Sequence, residues 1–332
     1  MRIITLSLLL CGLVIPSFGV RPPLKGYTYA SEQAPTGKEW QSPENLALNK
    51  EQPHAWFFPF QDIKSARKVL PENSIYWQSL NGNWKFNWAA DPDSRPKDFY
   101  KTDFDVTAWD NIPVPSSWNI YGIQQDGSLK YGVPIYVNQP VIFMHSVKVD
   151  DWRGGVMRTP PTNWTTYKYR NEVGSFRREF EIPEHWDGRE VFISFDGVDS
   201  FFYLWINGMY VGFSKNSRNT ANFNITNYLR SGKNIVAAEV YRNSDGSFLE
   251  AQDMFRLPGI FRTVALYSTP KVQIRDLVAT PDLDNNYTDG SLTIQADIRN
   301  FGKKTAKGYK VCYSLYANKL YRNIKNRTVC FQ

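Results

Sequence analysis

The densest run of chemically able side chains lies between Arg242 and Arg262, RNSDGSFLEAQDMFRLPGIFR. Asp245, Glu250, Asp253, Arg256 and Arg262 are interleaved there with Phe248, Met254, Phe255 and Phe261. The run joins two apolar strand patterns, NIVAAEVY and TVALYS. Glu250 and Asp253, three residues apart, invite a catalytic reading. Asp245 stands in S-D-G-S, where Asp-Gly is also a common turn pair that the carboxylate can simply cap. Asp253 and Arg256 are spaced for a supporting ion pair. Metal chemistry has no comparable signal. His54, His145 and His185 are scattered, and the three cysteines have no ligand spacing with them.

The elements that must carry these residues read as β. The chain has 332 residues, 42% hydrophobic and 15% aromatic. That is enough for real cores, and most large rings are expected inside them. YWQSLNGNWKFNWAA holds an Asn-Gly turn pair followed by alternating Trp84, Phe86 and Trp88. GSFRREFEIP puts Phe176, Arg178, Phe180 and Ile182 on one side of a strand. REVFISFDGVDSFFYLWINGMYVGFS reads as strands meeting at a second Asn-Gly, Asn207-Gly208. No helix-period segment exceeds about two turns, so the spacing predicts an all-β sandwich. Residues 116–175 are long and weakly periodic, and are expected to form loops at one end of it.

The chain's ends add context. MRIITLSLLLCGLVIPSFG has one Arg, an apolar run, and small residues at the −3 and −1 positions of a cleavage after Gly19. It reads as a signal peptide over 1–19, too short for a permanent span, and predicts an exported, periplasmic or secreted protein. Residues 20–45 read as an extended N-terminal arm. Cys312 and Cys330 fall on neighbouring predicted strands and either pair in an oxidising compartment or stay as separate buried thiols. The net charge of +7 is scattered, and runs such as RRE at 177–179 and GKK at 302–304 are short. No basic stripe or motif points to nucleic acid. After Thr269-Pro270 come four strand candidates, VQIRDLVATPDL, SLTIQADIRN, GYKVCYSLYA and KLYRNIKNRTVCF.

Five motifs in order carry a resemblance: LNGNWKF (80–86), VPSSWNIYG (114–122), PIYVN (134–138), FDGVDSFFYLWINGMYVGFSKNSR (195–218) and SDGSFLEAQDMFRLPGIFR (244–262). Together they resemble the N-terminal part of glycoside hydrolase family 2, in particular its bacterial β-galactosidases. The resemblance covers about 75–330. It implies a jelly-roll, galactose-binding-like sandwich over 46–270 and an immunoglobulin-like domain over 271–332. Such a domain needs about seven strands over about 100 residues. Only 62 residues follow Pro270, so a truncated one is expected.

In that family the catalytic carboxylates come from a (β/α)₈ barrel, and a retaining enzyme holds them about 5–5.5 Å apart. The carboxylates here lie in loops without βα alternation, so none is assigned a catalytic role and the chain alone is expected to be inactive. Asp245 matches a family Asp that contacts galactose hydroxyls and a neighbouring Na⁺. Asn138 matches an Asn that also reaches the sugar. The resemblance implies Na⁺ and Mg²⁺ for the complete enzyme and none for this chain alone. It implies a galactoside or galactose-containing oligosaccharide as ligand, the missing barrel as partner, and subunit contacts in a homo-oligomer. Arg218 and Arg262 are expected to brace loops, and Trp118, Trp205, Phe255 and Phe261 to pack. The segment 143–173, with its DDWRGGVMRTPPTNW loop, departs from the family pattern and leaves linkage and substrate size open. A free-standing carbohydrate-binding module and a structural assembly domain are the alternative readings.

Overall fold

A computed structural model of the chain describes residues 34–134, 171–250, 255–315 and 327–331. The leader lies outside them, as does the arm before residue 34. The chain divides into two compact units, with Thr269 ending one and Pro270 opening the other.

The larger unit is a sandwich of two antiparallel sheets. Its strands are β1 (Ala47–Leu48), β2 (Trp77–Ser79), β3 (Gly82–Ala89), β4 (Asp110–Val114), β5 (Val173–Glu181), β6 (Glu190–Phe195), β7 (Val198–Asp199), β8 (Phe201–Ile206), β9 (Met209–Lys215), β10 (Ala221–Asn224), β11 (Lys233–Tyr241), β12 (Gly259–Ile260) and β13 (Val264–Thr269). One sheet has seven strands in the order β1-β9-β8-β11-β5-β3-β4, the other has four in the order β10-β6-β13-β2, and β7 and β12 pair in a separate two-stranded ladder. The all-β expectation holds: helical segments among the described residues are single turns.

Alternation explains the packing. Phe202, Leu204 and Ile206 of β8 join Phe176 and Phe180 of β5, Phe195 of β6 and Leu266 of β13 in the core between the sheets. Phe195 and Phe202 meet across it with ring centroids 4.8 Å apart. Ile182 packs against the same core, and Arg178, on that side of β5, donates to the Asn81 carbonyl. The other residues of β8, Phe201, Tyr203 and Trp205, enter a second core on the outer face of the seven-stranded sheet. Trp40 and Phe99 cover that face. A strand covered on both sides reads as a continuous apolar run, which is why FFYLWI shows no period-2 pattern.

Two Asn-Gly pairs behave differently. Asn207 and Gly208 have φ of 53° and 79°, the left-handed pair that a tight hairpin requires, and they join β8 to β9. Asn81-Gly82 makes no hairpin. It carries the chain from β2 in the four-stranded sheet to β3 in the seven-stranded one.

The smaller unit contributes two hairpins. β14 (Val272–Leu283) pairs with β15 (Gly290–Asn300), and β16 (Val311–Leu315) pairs with β17 (Arg327–Phe331). Cys312 is disulfide-bonded, and its partner across the β16–β17 ladder is Cys330. The alternative of separate thiols is thereby set aside for Cys312.

Leu204 is fully buried in the core between the sheets. Leu204→Ala should cost about 2–5 kcal/mol in unfolding free energy, through lost transfer energy and the cavity left behind. Denaturant unfolding of the wild type and the variant measures this directly.

Candidate functional site

Strand register gathers the polar residues at one end of the seven-stranded sheet. Tyr241, the last residue of β11, pairs with Phe201 of β8 on one side and Val173 of β5 on the other. Phe201 in turn pairs with Lys215, the last residue of β9. The residues that follow β11 and β9 and those that precede β5 and β8 therefore share one end. These are Arg242–Glu250, Lys215–Arg218, Asn171–Glu172 and Asp199–Ser200.

Asp245 leaves β11 by a serine-locked turn. The Ser244 amide donates to Ser247 Oγ (3.0 Å), and the Ser247 amide donates to the Ser244 carbonyl (2.9 Å). Ser200 Oγ donates to Ser244 Oγ from below. Capping thus falls to Ser247, which leaves the Asp245 carboxylate available for other work. The Asp245 amide donates to the Trp40 carbonyl (2.9 Å), and Trp40 stacks on Tyr241 at 5.4 Å. Asp245 Oδ1 lies 2.8 Å from Lys215 Nζ, with the lysine side chain 2% exposed and the aspartate 12%. Lys215 Nζ also donates to the Ser42 carbonyl. Burial pushes the lysine pKa down, and the Asp245 carboxylate pulls it back up.

Beside this pair, Ser217 joins two further carboxylates. Its amide and its hydroxyl each donate to Glu250, both at 2.6 Å, and its Oγ stands 3.5 Å from Asp199 Oδ1. Asp199 is nearly enclosed, with Arg218 Nη2 3.6 Å from its carboxylate. Burial raises the Asp199 pKa to about 7; Arg218 and Arg242 oppose the rise, while Glu250 adds to it. A hydroxyl has one proton to give. With that proton on Glu250, a neutral Asp199 suits the remaining contact.

A second buried charge pair lies close by. Arg242 and Glu172 are both fully buried, and Arg242 Nη1 bonds Glu172 Oε2. Arg242 Nη2 reaches on to the Val133 carbonyl (2.8 Å) and so fixes the chain just before PIYVN. Gly132 makes room for this pair: with φ of 72°, any Cβ there would sit 2.0 Å from Glu172 Oε1. Burial raises the Glu172 pKa and Arg242 opposes the rise.

The sequence motifs meet one another here. The Ser116 amide of VPSSWNIYG donates to the Ile260 carbonyl (2.8 Å), and the Trp118 amide to the Pro258 carbonyl (3.2 Å). Gly259 has φ of 135°, and a Cβ on it would meet the Ser116 carbonyl oxygen at 2.6 Å. Ser217 of the fourth motif holds Glu250 of the fifth. Arg262 donates to the Arg218 carbonyl (2.8 Å), and both guanidiniums lie over Phe261 at 5.3 and 4.8 Å. Both arginines brace loops, as expected. Trp118 and Trp205 are buried, as expected, whereas Phe255 is 57% exposed. Asn138 and Asp253 lie outside the described residues, so the Asp253–Arg256 pair and the Asn138 contact do too.

Comparison with known proteins fits this arrangement. The family profile described as glycosyl hydrolases family 2, sugar binding domain, matches residues 77–270. The chain belongs to glycosyl hydrolases family 2. The β-galactosidase of Priestia megaterium is 42% identical to this family 2 chain over 264 residues, which make up 79% of this chain and 24% of that protein. The β-galactosidase large subunit of Lactobacillus helveticus is 34% identical over 272 residues, 79% of this chain and 40% of that protein. The chain thus spans about a quarter of the first relative's length and two-fifths of the second's. A solved β-glucuronidase from glycoside hydrolase family 2 superposes with a TM-score of 0.50 at 17% identity, over 77% of this chain and 25% of that one. That likeness establishes the shared fold.

Among the described residues no group of three or more His, Cys, Asp or Glu side chains could hold a metal ion. Asp245, the residue expected beside Na⁺, has a lysine ammonium on Oδ1. The donor set does not fit a bare cation at that oxygen.

Sequence reasoning passed over Lys215, Asp199, Glu172 and Arg242. The available signal was a charged residue at the end of an apolar strand, as in MYVGFSK and NIVAAEVYR, since such residues are almost never buried unpaired.

The Asp199 pKa predicts a pH dependence. A folded value of about 7 lies above the unfolded value near 3.8, so the protonated form is favoured by folding. Its contribution is fully present below about pH 4, falls by about 1.4 kcal/mol per unit up to about pH 7, and is flat beyond. Asp199→Asn should remove that slope, which unfolding free energies measured between pH 5 and 7 will show.

Proposed function

We propose that this chain is the N-terminal portion of a β-galactosidase-like glycoside hydrolase, which supplies one wall of the sugar site while the reactive carboxylates come from a barrel elsewhere in the enzyme. The observation that carries this reading is the polar end of the sandwich. Two buried charge pairs, Lys215 with Asp245 and Arg242 with Glu172, and the Ser217 contacts to Glu250 and Asp199 hold the loop that follows β11 in a fixed shape. Asp199 and Glu250 are both tied to Ser217. Asp245, paired with Lys215 through Oδ1, is only partly buried and has a second carboxylate oxygen that can accept a hydroxyl.

Asp245 and Asn138 are the residues we assign to galactoside hydroxyls. A carboxylate accepts two hydroxyl hydrogen bonds, and an amide both donates and accepts. The relatives named as β-galactosidases support a terminal β-galactoside or a galactose-containing oligosaccharide as ligand. Na⁺ and Mg²⁺ belong, in this reading, to the complete enzyme. The disulfide at Cys312 and the leader pattern support an exported, periplasmic or secreted protein. A homo-oligomeric enzyme, with these sandwiches in subunit contacts, completes the proposal. Of the binding-module alternative's candidate stacking rings, Trp118 and Trp205 are buried and Phe255 is exposed.

The purified 332-residue chain should not hydrolyse a chromogenic β-galactoside, and calorimetry with galactose should show no saturable binding. Hydrolysis abolished by Glu250→Gln would place the reaction in this chain and overturn the proposal. Tight galactose binding without hydrolysis would favour the binding module.

A further inference from the structure

The Lys215 side chain is an unusual investment. Its side chain is 2% exposed at the end of β9, a position where a lysine is seldom found without a partner. It reaches Asp245 Oδ1 at 2.8 Å and the Ser42 carbonyl, and Glu39 adds a favourable charge. Its backbone is fixed as well, since the Lys215 amide donates to the Leu46 carbonyl (3.0 Å). Asp245 is held from the other side by its own amide on the Trp40 carbonyl. The ammonium and the carboxylate are therefore both positioned by backbone from the same N-terminal segment, residues 40–46, and neither depends on solvent.

We propose that the Lys215 ammonium is itself the cation of the Asp245 site, standing where a sodium ion would otherwise balance the carboxylate. An ammonium is a compact point charge and, like an alkali cation, it is met by oxygen atoms. Here those oxygens are a carboxylate and a main-chain carbonyl. A carboxylate has two oxygens and about four acceptor positions. With Lys215 on Oδ1, the second oxygen has acceptor positions of its own for a hydroxyl while the charge remains neutralised. A metal ion on the same oxygen would lie against the ammonium and be repelled by it. Lys215 is thus a positioning residue that fixes Asp245 for a polyol ligand without a metal.

Because the cation is the one that the galactosidase reading implies, Lys215's role rests on that reading. Melting curves and ²³Na line widths involve neither sugar nor hydrolysis, so failure of either idea would be recognisable separately. The test is to melt the 332-residue chain in NaCl and in choline chloride at equal ionic strength, and to record the ²³Na line width with and without protein. The wild type should melt at the same temperature in both salts and should not broaden the ²³Na line. Lys215→Ala should melt lower in choline chloride, regain part of that loss in NaCl, and broaden the line. A sodium-specific rise in the wild-type melting temperature would overturn the proposal, as would a K215A protein indifferent to sodium. If K215A does not fold, D245N decides. It should lower the melting temperature equally in both salts, and a loss confined to NaCl would contradict the ammonium's role.

Discussion

A charge at the end of a strand that is covered on both faces has no water to turn to, so its counter-charge must be built into the protein. The seven-stranded sheet is such a case. β8 and β11 are buried on both sides, and the chain turns polar only where these strands end. Lys215 with Asp245, Arg242 with Glu172, and Ser217 between Asp199 and Glu250 are the consequence. Each joins residues from different strands, so together they fix where the loop after β11 lies. The order of the site is a by-product of solving a solvation problem.

The same constraint explains why the five motifs occur together. VPSSWNIYG and LPGIFR share main-chain hydrogen bonds through Ser116, Trp118, Pro258 and Ile260. KNSR and SDGSFLE share the Ser217–Glu250 contact. A change in one motif leaves a buried donor or acceptor in another without its partner, at a cost of about 1–3 kcal/mol. Gly259 and Gly132 add steric conditions, because each lies against an oxygen that no side chain could approach.

The sequence disclosed the fold class readily, because alternation in β5 and the turn at Asn207-Gly208 are local signals. It also placed Arg218 and Arg262 as braces and Trp118 as core. The site was less legible. Asp245 stood out because it lies in a turn motif, but its partner is thirty residues earlier, and the pairing depends on register across β11, β8 and β9. Asn81-Gly82 misled for a similar reason: the dipeptide signals a turn but not whether the flanking strands share a sheet. Trp40, within the arm of residues 20–45, is buried against Tyr241, and only the tertiary structure reveals the sheet face that it covers.

These pairings imply that the chain by itself holds the polar turn in its working shape. Amide hydrogen exchange on the 332-residue protein tests this most directly. The Asp245 amide, bonded to the Trp40 carbonyl, and the Ser247 amide, bonded to the Ser244 carbonyl, should exchange slowly, with protection approaching that of β11. Exchange of both at the rate of an unstructured peptide, with β11 still protected, would contradict the account.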